Sequence, residues 1–338
     1  MNAGIRRIAD HRATGPAGLA VAALAPFLIA TPYALNVMTS AAIFVMLAVG
    51  LNIVVGYCGL LDLGFVAFFA VGAYTSGILT TRYGLSLVET VPAVVVVTLL
   101  AGMVIGLPTL RLRSDYLAIV TLGFGEIIRI LANNLDITGG PSGIYGIPGL
   151  SAFGTRLDAP VTLYYTVLVL VAAAVVLAAR LGRSRLGRAW SFIREDEDAA
   201  EAMGVHTHRV KLAAYSAGAV WGGLAGVLFA AQLSAVSPES FRFIQSALVL
   251  MAVVLGGMGS SRGVVLGAVC ISLVPELLRG VEDNRYFAFG AVLIAVMVFR
   301  PAGLWPRPSR EGDRTARRSP TGTGPAPVPV PVGKEDAS

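Results

Sequence analysis

Charge is what this sequence is shortest of. Asp, Glu, Lys and Arg make up 14% of its 338 residues, against about 25% in an ordinary soluble domain. With 55% hydrophobic residues, a mean hydropathy of +0.74 and apolar runs long enough to cross about 30 Å of hydrocarbon, that deficit excludes a water-soluble globular chain and implies a polytopic membrane protein. Cysteine is nearly missing as well: Cys58 and Cys270 both sit inside apolar runs, read as packing residues, and offer no metal-ligand spacing. His206 and His208 flank Thr207 with no third ligand nearby, so they read as solvated loop residues. There is no strand-turn-helix phosphate loop and no set of nucleophile, base and orienter, so no bond chemistry is expected and no metal or cofactor is assigned to this chain. The basic-aromatic groove pattern of single-strand nucleic-acid binders is also missing. The arginines behind the net charge of +6 therefore read as signals of membrane topology, with no nucleic-acid partner expected.

What is present is a series of apolar runs. A basic N-terminus (1–16, with Arg6, Arg7 and Arg12) leads into a first span at 17–35, read as a retained helix because no small-residue cleavage site follows. Further spans are expected at 36–56, 65–80, 92–110, 116–132, 160–179 and 212–231. The run 244–274, broken by GGMGSSRG at 256–263, reads as two short helices joined by a turn, and 286–299 as a short tenth span. The expected fold is an all-α polytopic membrane protein of about ten helices, with eight to ten as the range and some short or broken at glycine-rich turns. Arg111 and Arg113, the arginines of 180–194, Arg262 and Arg300 all fall on one side of this layout, which places both termini in the cytoplasm. TGGPSGIYGIPG, at 138–149, calls for turns rather than helix. The tail from 301 onward, with PAPVPVPV and few large apolar side chains, reads as disordered and cytoplasmic.

Three features inside the transmembrane region (17–300) invite functional readings. Gly56, Gly59 and Gly64 surround Asp62, and Gly256, Gly257 and Gly259 break the later run. These segments either line or gate a path, or make tight interhelical turns, and Asp62 either faces a cavity at membrane depth or sits in a turn. GEIIR at 125–129 and PELLR at 275–279 each put an acid and an arginine at i and i+3. Glu126 with Arg129 and Glu276 with Arg279 are thus candidate intrahelical ion pairs. The third feature is the loop 180–210, RLGRSRLGRAWSFIREDEDAAEAMGVHTHRV, where arginine-rich turns flank a helix-forming run stopped by Gly204. Trp190, Phe192, Ile193 and Met203 are large apolar residues in this charged loop, a combination suited to docking in a partner's groove.

RSRLGRAWSFIREDEDAAEAMGV followed by HRVKLAAYSAGAVWGGLAG resembles the cytoplasmic coupling loop of permease subunits of branched-chain amino acid ABC transporters, of the M-type class. LRLRSDYLAIVTLGFGEIIRIL with TGGPSGIYGIP, and LNIVVGYCGLLDLGFVAFFAVGAYTSGIL, resemble the same family, so the likeness runs from about Leu51 to Leu304. Asp62 stands where that pattern tends to carry a serine or threonine.

The resemblance implies an ABC importer permease fold in the bacterial plasma membrane. A second permease subunit, typically forming a heterodimer, would complete the path for branched-chain amino acids. Two cytoplasmic ATPase subunits would bind ATP and Mg, and an extracytoplasmic binding protein would deliver substrate. Residues 190–204 would form the helix that docks on an ATPase, with contacts expected from Trp190, Ile193, Arg194, Glu195, Glu201, Ala202, Met203 and Gly204. Similar permeases carry urea or short amides. In the alternative of another class, an ion-coupled carrier or channel, Asp62, Glu126 and Glu276 would be the coupling carboxylates.

Overall fold

The computed structural model describes residues 31–110, 114–152, 155–156 and 159–277, with a few positions among 22–26 and 290–305. The expected basic N-terminus, most of the first span, most of the tenth span and nearly all of the tail fall outside the described residues.

Ten α-helices stand among them. α1 spans Pro32–Leu51 and starts where Thr31 caps it and Pro32 fits the first turn, so the second span begins earlier than 36. It continues as a wider π-helical turn over Asn52–Tyr57, and the chain then runs without helix to α2 at Val66–Tyr83. Gly84, at φ 66°, ends α2, and a capping box of Ser86 and Glu89 starts α3 at Leu87–Thr109. α4 spans Ser114–Asn134 and α5 Pro160–Arg183. Two short helices follow, α6 at Arg185–Glu195 and α7 at Glu197–Ala202. α8 covers Thr207–Leu233, α9 Phe243–Gly256 and α10 Ser261–Leu277.

A helix thus underlies each described apolar run from the second to the ninth. Five helical stretches are long and apolar enough to cross a membrane, and α9 is shorter; a count of ten spans is not reached among the described residues. The glycine-rich connection after α4 forms two 3₁₀ turns, and its strand β1 (Ile144–Tyr145) pairs antiparallel with β4 (Ala235–Val236) beyond α8. Between them lies the two-residue pairing of β2 (Ser151–Ala152) with β3 (Thr155–Arg156).

α1 and α8 form the centre. The apolar window of the α1 stretch is 78% buried and that of α8 61%, whereas α3, α4 and α5 bury a third or less of theirs. The outer faces of the latter carry Val104, Ile119, Ile127, Val169 and Leu177 exposed, as expected of surfaces meeting lipid or a second subunit. Small residues let the central helices close. Gly72 of α2 lies against the backbone of Gly223 of α8, Gly226 meets the Phe69 carbonyl, and Gly50 of α1 faces Gly218 and Trp221. The GGLAG run at 222–226 is thus a seam in which side chains would prevent contact.

The ends of the bundle differ. One gathers the ends of α1, α5 and α9, the starts of α8 and α10, and the whole α6–α7 pair. The other holds the β1–β4 pairing and the starts of α1 and α9.

Gly72→Val should therefore destabilise the fold by about 1–3 kcal/mol through overpacking at the Gly223 backbone. At Gly123 an added Cβ meets no neighbouring atom within 4 Å, so Gly123→Ala should be close to neutral and Gly123→Val far milder than Gly72→Val. Thermal unfolding of these variants in detergent checks the contrast.

Candidate functional site

The charged loop is a structured pair of helices with a buried inner face. Ser184 caps α6 through the Gly187 N–H, and Asp196 caps α7 through the Ala199 N–H at 3.0 Å. α6 repeats Gly187, Trp190 and Ile193 on one side, and that side packs inward. Trp190 is 0% exposed, and its indole N–H donates to the Val210 carbonyl at 2.8 Å, tying α6 to the first turn of α8. Lys211 of α8, with 7% of its side chain exposed, pairs with Glu197 of α7, so a nearly buried ammonium keeps a counter-charge. Arg194, near the end of α6, donates to the Gly56 carbonyl in the π-helical end of α1.

Two residues expected at a partner contact are therefore corrected. Trp190 and Ile193 are buried against their own chain and support the helix from behind. Arg194 reaches toward the bundle. Arg194 as a whole residue is nonetheless exposed, as are the remaining expected residues, Glu195, Glu201, Ala202, Met203 and Gly204. Met203, 81% exposed, is joined by Phe192 at 57% and by Leu186. These are large apolar side chains on an otherwise charged surface, and in α6 the 3.6-residue period alone separates outward Phe192 from inward Ile193. Gly204 ends the pair at φ 82°, a left-handed conformation, and an added Cβ would meet nothing within 4 Å.

The glycine-broken segments come together where Arg194 lands. Asn52 Oδ1 accepts the Gly259 N–H at 2.9 Å, bridging the π-helical turn of α1 to the turn between α9 and α10. The end of α9 is closed by the Leu304 and Trp305 N–H groups, which donate to the Leu255 and Gly256 carbonyls at 2.8 and 3.1 Å. Tyr57 contacts Ser261 Oγ at 2.7 Å, and Gly182 at the end of α5 leaves room for the Tyr57 ring. Gly56, Gly59, Gly256, Gly257 and Gly259 thus form one joint of closely apposed turns. Nothing in the sequence pattern marks Asn52 or Tyr57 as members of it, since each lies in an apolar run.

Asp62 lies in the non-helical segment between Cys58 and Phe65 and is fully buried. Its Oδ1 accepts the Gly64 N–H at 2.8 Å, a local turn bond. The hydroxyls of Thr121 and Tyr215 flank the carboxylate, while Oδ2 makes no hydrogen bond of normal geometry among the described residues. Thr121 also accepts the Leu63 N–H at 3.1 Å, and Gly64 packs on the Thr121 carbonyl. This arrangement is that of the turn.

Arg129 pairs with Glu126 on α4, its Nε at 2.9 Å, and lies 3.8 Å from Glu239. Glu276 accepts from the Tyr33 hydroxyl; Arg279 falls outside the described residues. Glu276 also lines an open recess of about 450 Å³ at the far end of the bundle, with Asn36, Ser40, Gln232 and Ser272. There the Gln232 amide donates to the Asn36 carbonyl at 3.0 Å and to Ser40 Oγ at 2.8 Å. These polar residues are scattered over three helices, so only the fold brings them together.

A family model described as branched-chain amino acid transport system / permease component matches residues 33–299. The chain is 42% identical over 312 residues to the high-affinity branched-chain amino acid transport system permease protein LivM of Salmonella typhimurium, covering 85% of this chain and 73% of the relative. The LivM protein of Escherichia coli matches to the same extent. The high-affinity branched-chain amino acid transport system permease protein LivH of Escherichia coli is 23% identical, covering 82% of this chain and 95% of the relative. No solved structure matches.

If Asp62 serves the turn, Asp62→Asn keeps the Oδ1 acceptor and should leave transport within about twofold of the parent. Asp62→Leu strands the Gly64 N–H and should cost about 1–3 kcal/mol. Uptake assays and detergent unfolding on both variants check this, and an ion-coupling carboxylate would instead lose transport in Asp62→Asn.

Proposed function

The chain belongs to the family of branched-chain amino acid transport system permease components, and from that premise we propose how it works in an ATP-driven importer. It is a multi-pass permease subunit. Its partners are a second permease, which LivH-type relatives suggest by name, two ATPase subunits that bind ATP and Mg, and a binding protein on the opposite side of a bacterial plasma membrane. The cargo is a branched-chain amino acid, as in the names of the relatives.

One observation carries the coupling part of this reading. The α6–α7 pair presents exposed Phe192 and Met203 among charges, while its back is fastened to α8 and α1. A free loop would yield to a push. A helix pair held by a buried tryptophan, an ion pair and an arginine passes it on. Apolar side chains supply docking area, and Glu195 and Glu201 beside them set register and orientation.

The same end carries Arg183, Arg185, Arg188, Arg209 and Arg262, which supports its cytoplasmic placement. The recess at the other end then faces the binding protein. Its amide, hydroxyl and carboxylate groups suit the charged ends of an amino acid at entry. ATP binding favours the closed ATPase dimer, and closure would shift the permease between outward- and inward-open states through this helix pair.

Phe192→Asp combined with Met203→Asp should leave membrane insertion intact and abolish retention of the ATPase subunits. Co-purification of the coexpressed complex measures this, and full retention of the ATPases would overturn the docking assignment.

A further inference from the structure

We propose that Arg194 is the positioning residue that carries motion of the ATPase-facing helix into the broken helices of the bundle. The inference rests on the docking role given to α6–α7 and adds where the displacement goes.

The geometry is specific. Arg194 lies near the end of α6, and its Nη1 donates to the carbonyl of Gly56, in the π-helical turn where α1 breaks. Its stem runs over Gly59: a Cβ there would come within 2.9 Å of Arg194 Cγ and 3.2 Å of its Cβ. Its guanidinium lies against Gly259, where a Cβ would stand 2.9 Å from Nη1 and 2.9 Å from the Gly56 carbonyl oxygen. Gly59 and Gly259 adopt φ of 80° and 83°, so both turns are shaped for glycine by conformation and by contact with the same side chain. Asn52 closes the joint by accepting the Gly259 N–H. One arginine therefore touches the breaks of α1 and of α9–α10 together.

The chemistry suits a mechanical link. A helix end that breaks leaves carbonyls without intrahelical donors, and they carry the negative end of the helix dipole. A guanidinium stays charged under all conditions and offers several donors in a rigid plane. It can therefore hold a carbonyl while its stem packs on a neighbouring turn, and displacement of α6 shifts both turns at once. The other two described fasteners of the helix pair, Trp190 with Val210 and Lys211 with Glu197, hold it to the start of α8, the second of them close to Cys58. Among the described hydrogen bonds of the pair, that of Arg194 is the one that lands on a carbonyl of the broken segments.

The test uses the whole transporter, with its second permease, ATPases and binding protein, reconstituted in liposomes. Three quantities are measured: ATPase retention, ATP hydrolysis stimulated by the liganded binding protein, and substrate taken up per ATP hydrolysed. Arg194→Gln should retain the ATPases and hydrolyse ATP within about twofold of the parent, while uptake per ATP falls about tenfold, the scale of an ordinary coupling between sites. Gly259→Ala, which crowds both the guanidinium and the Gly56 carbonyl that it holds, should reproduce the loss with α6 untouched. Arg194→Lys, which keeps the charge and loses the fork, should recover part of it. If Arg194→Gln fails to reach the membrane, Arg194→Lys and Gly259→Ala carry the measurement alone.

Unchanged uptake per ATP in the variants that insert would overturn the proposal. Loss of ATPase retention in Arg194→Gln would also overturn it, placing Arg194 on the docking surface while leaving the docking assignment standing. Failure of the parent complex to retain its ATPases would remove the docking assignment itself.

Discussion

Hydrocarbon offers no hydrogen bonds, so a helix that breaks within a membrane protein must find partners for the backbone groups it frees. This constraint governs the region from Asn52 to Val66. Here α1 widens to a π-helix, stops, and restarts as α2. Three of the partners come from distant parts of the chain and one is local. Arg194 takes the Gly56 carbonyl, Thr121 the Leu63 N–H, Asp62 the Gly64 N–H and Ser246 the Val66 N–H, the last at 3.2 Å. Asn52 serves the Gly259 N–H in return. Apart from Asp62, each partner sits on a different element, so the break can persist only if α4, α6 and α9 are all in place. The break is a product of the tertiary fold.

The rest of the bundle is arranged to keep that region in position. α1, α2, α3 and α8 meet through Gly50, Gly72, Gly218, Gly223 and Gly226, where backbones touch or a small side chain such as Thr98 fills the gap. Apolar side chains gain little by leaving lipid for one another, so association rests on close packing and shape. Contacts of this kind resist small sliding movements, because a shift that separates two backbones has no long side chain to fill the gap. The glycine seams therefore describe a stiff body, and the joint of turns at 56–59 and 256–259 describes where that body is interrupted. A conformational change of the transporter is more easily placed at the second than at the first.

Much of this was legible in sequence. Apolar runs of the right length located α1 to α5 and α8 to α10 to within a few residues, since membrane thickness fixes their length. The break at 256–263 was visible because glycine weakens a helix, and the charged stretch at 180–210 because charge is rare elsewhere. The direction of each side chain was not legible in the same way. Trp190 and Ile193 share a charged, exposed-looking loop with Phe192 and Met203, and only the helical phase within α6 and its seat on α8 separate inward from outward. Asn52 sits in a run of Leu, Ile and Val, where a polar residue at a helix break has no local signature. The recess residues Asn36, Ser40, Gln232 and Ser272 lie far apart in sequence, and no periodicity joins them.

Arginine near the end of a membrane helix has two physical uses, and the α5–α8 region shows both. Arg180, Arg183, Arg185 and Arg188 crowd the end of α5 and the start of α6, where charge resists crossing the membrane and where cations complement the helix dipole of α5. These roles need charge of one sign and tolerate imprecise placement. Arg194 differs in kind, because its partner is a named carbonyl on another helix and its stem runs against a glycine that allows no side chain. A lysine could serve as well as arginine in the first group. At position 194 the planar fork and the length of the side chain matter, since one group must contact two turns simultaneously. Composition cannot separate these uses, and the turns that meet the side chain do.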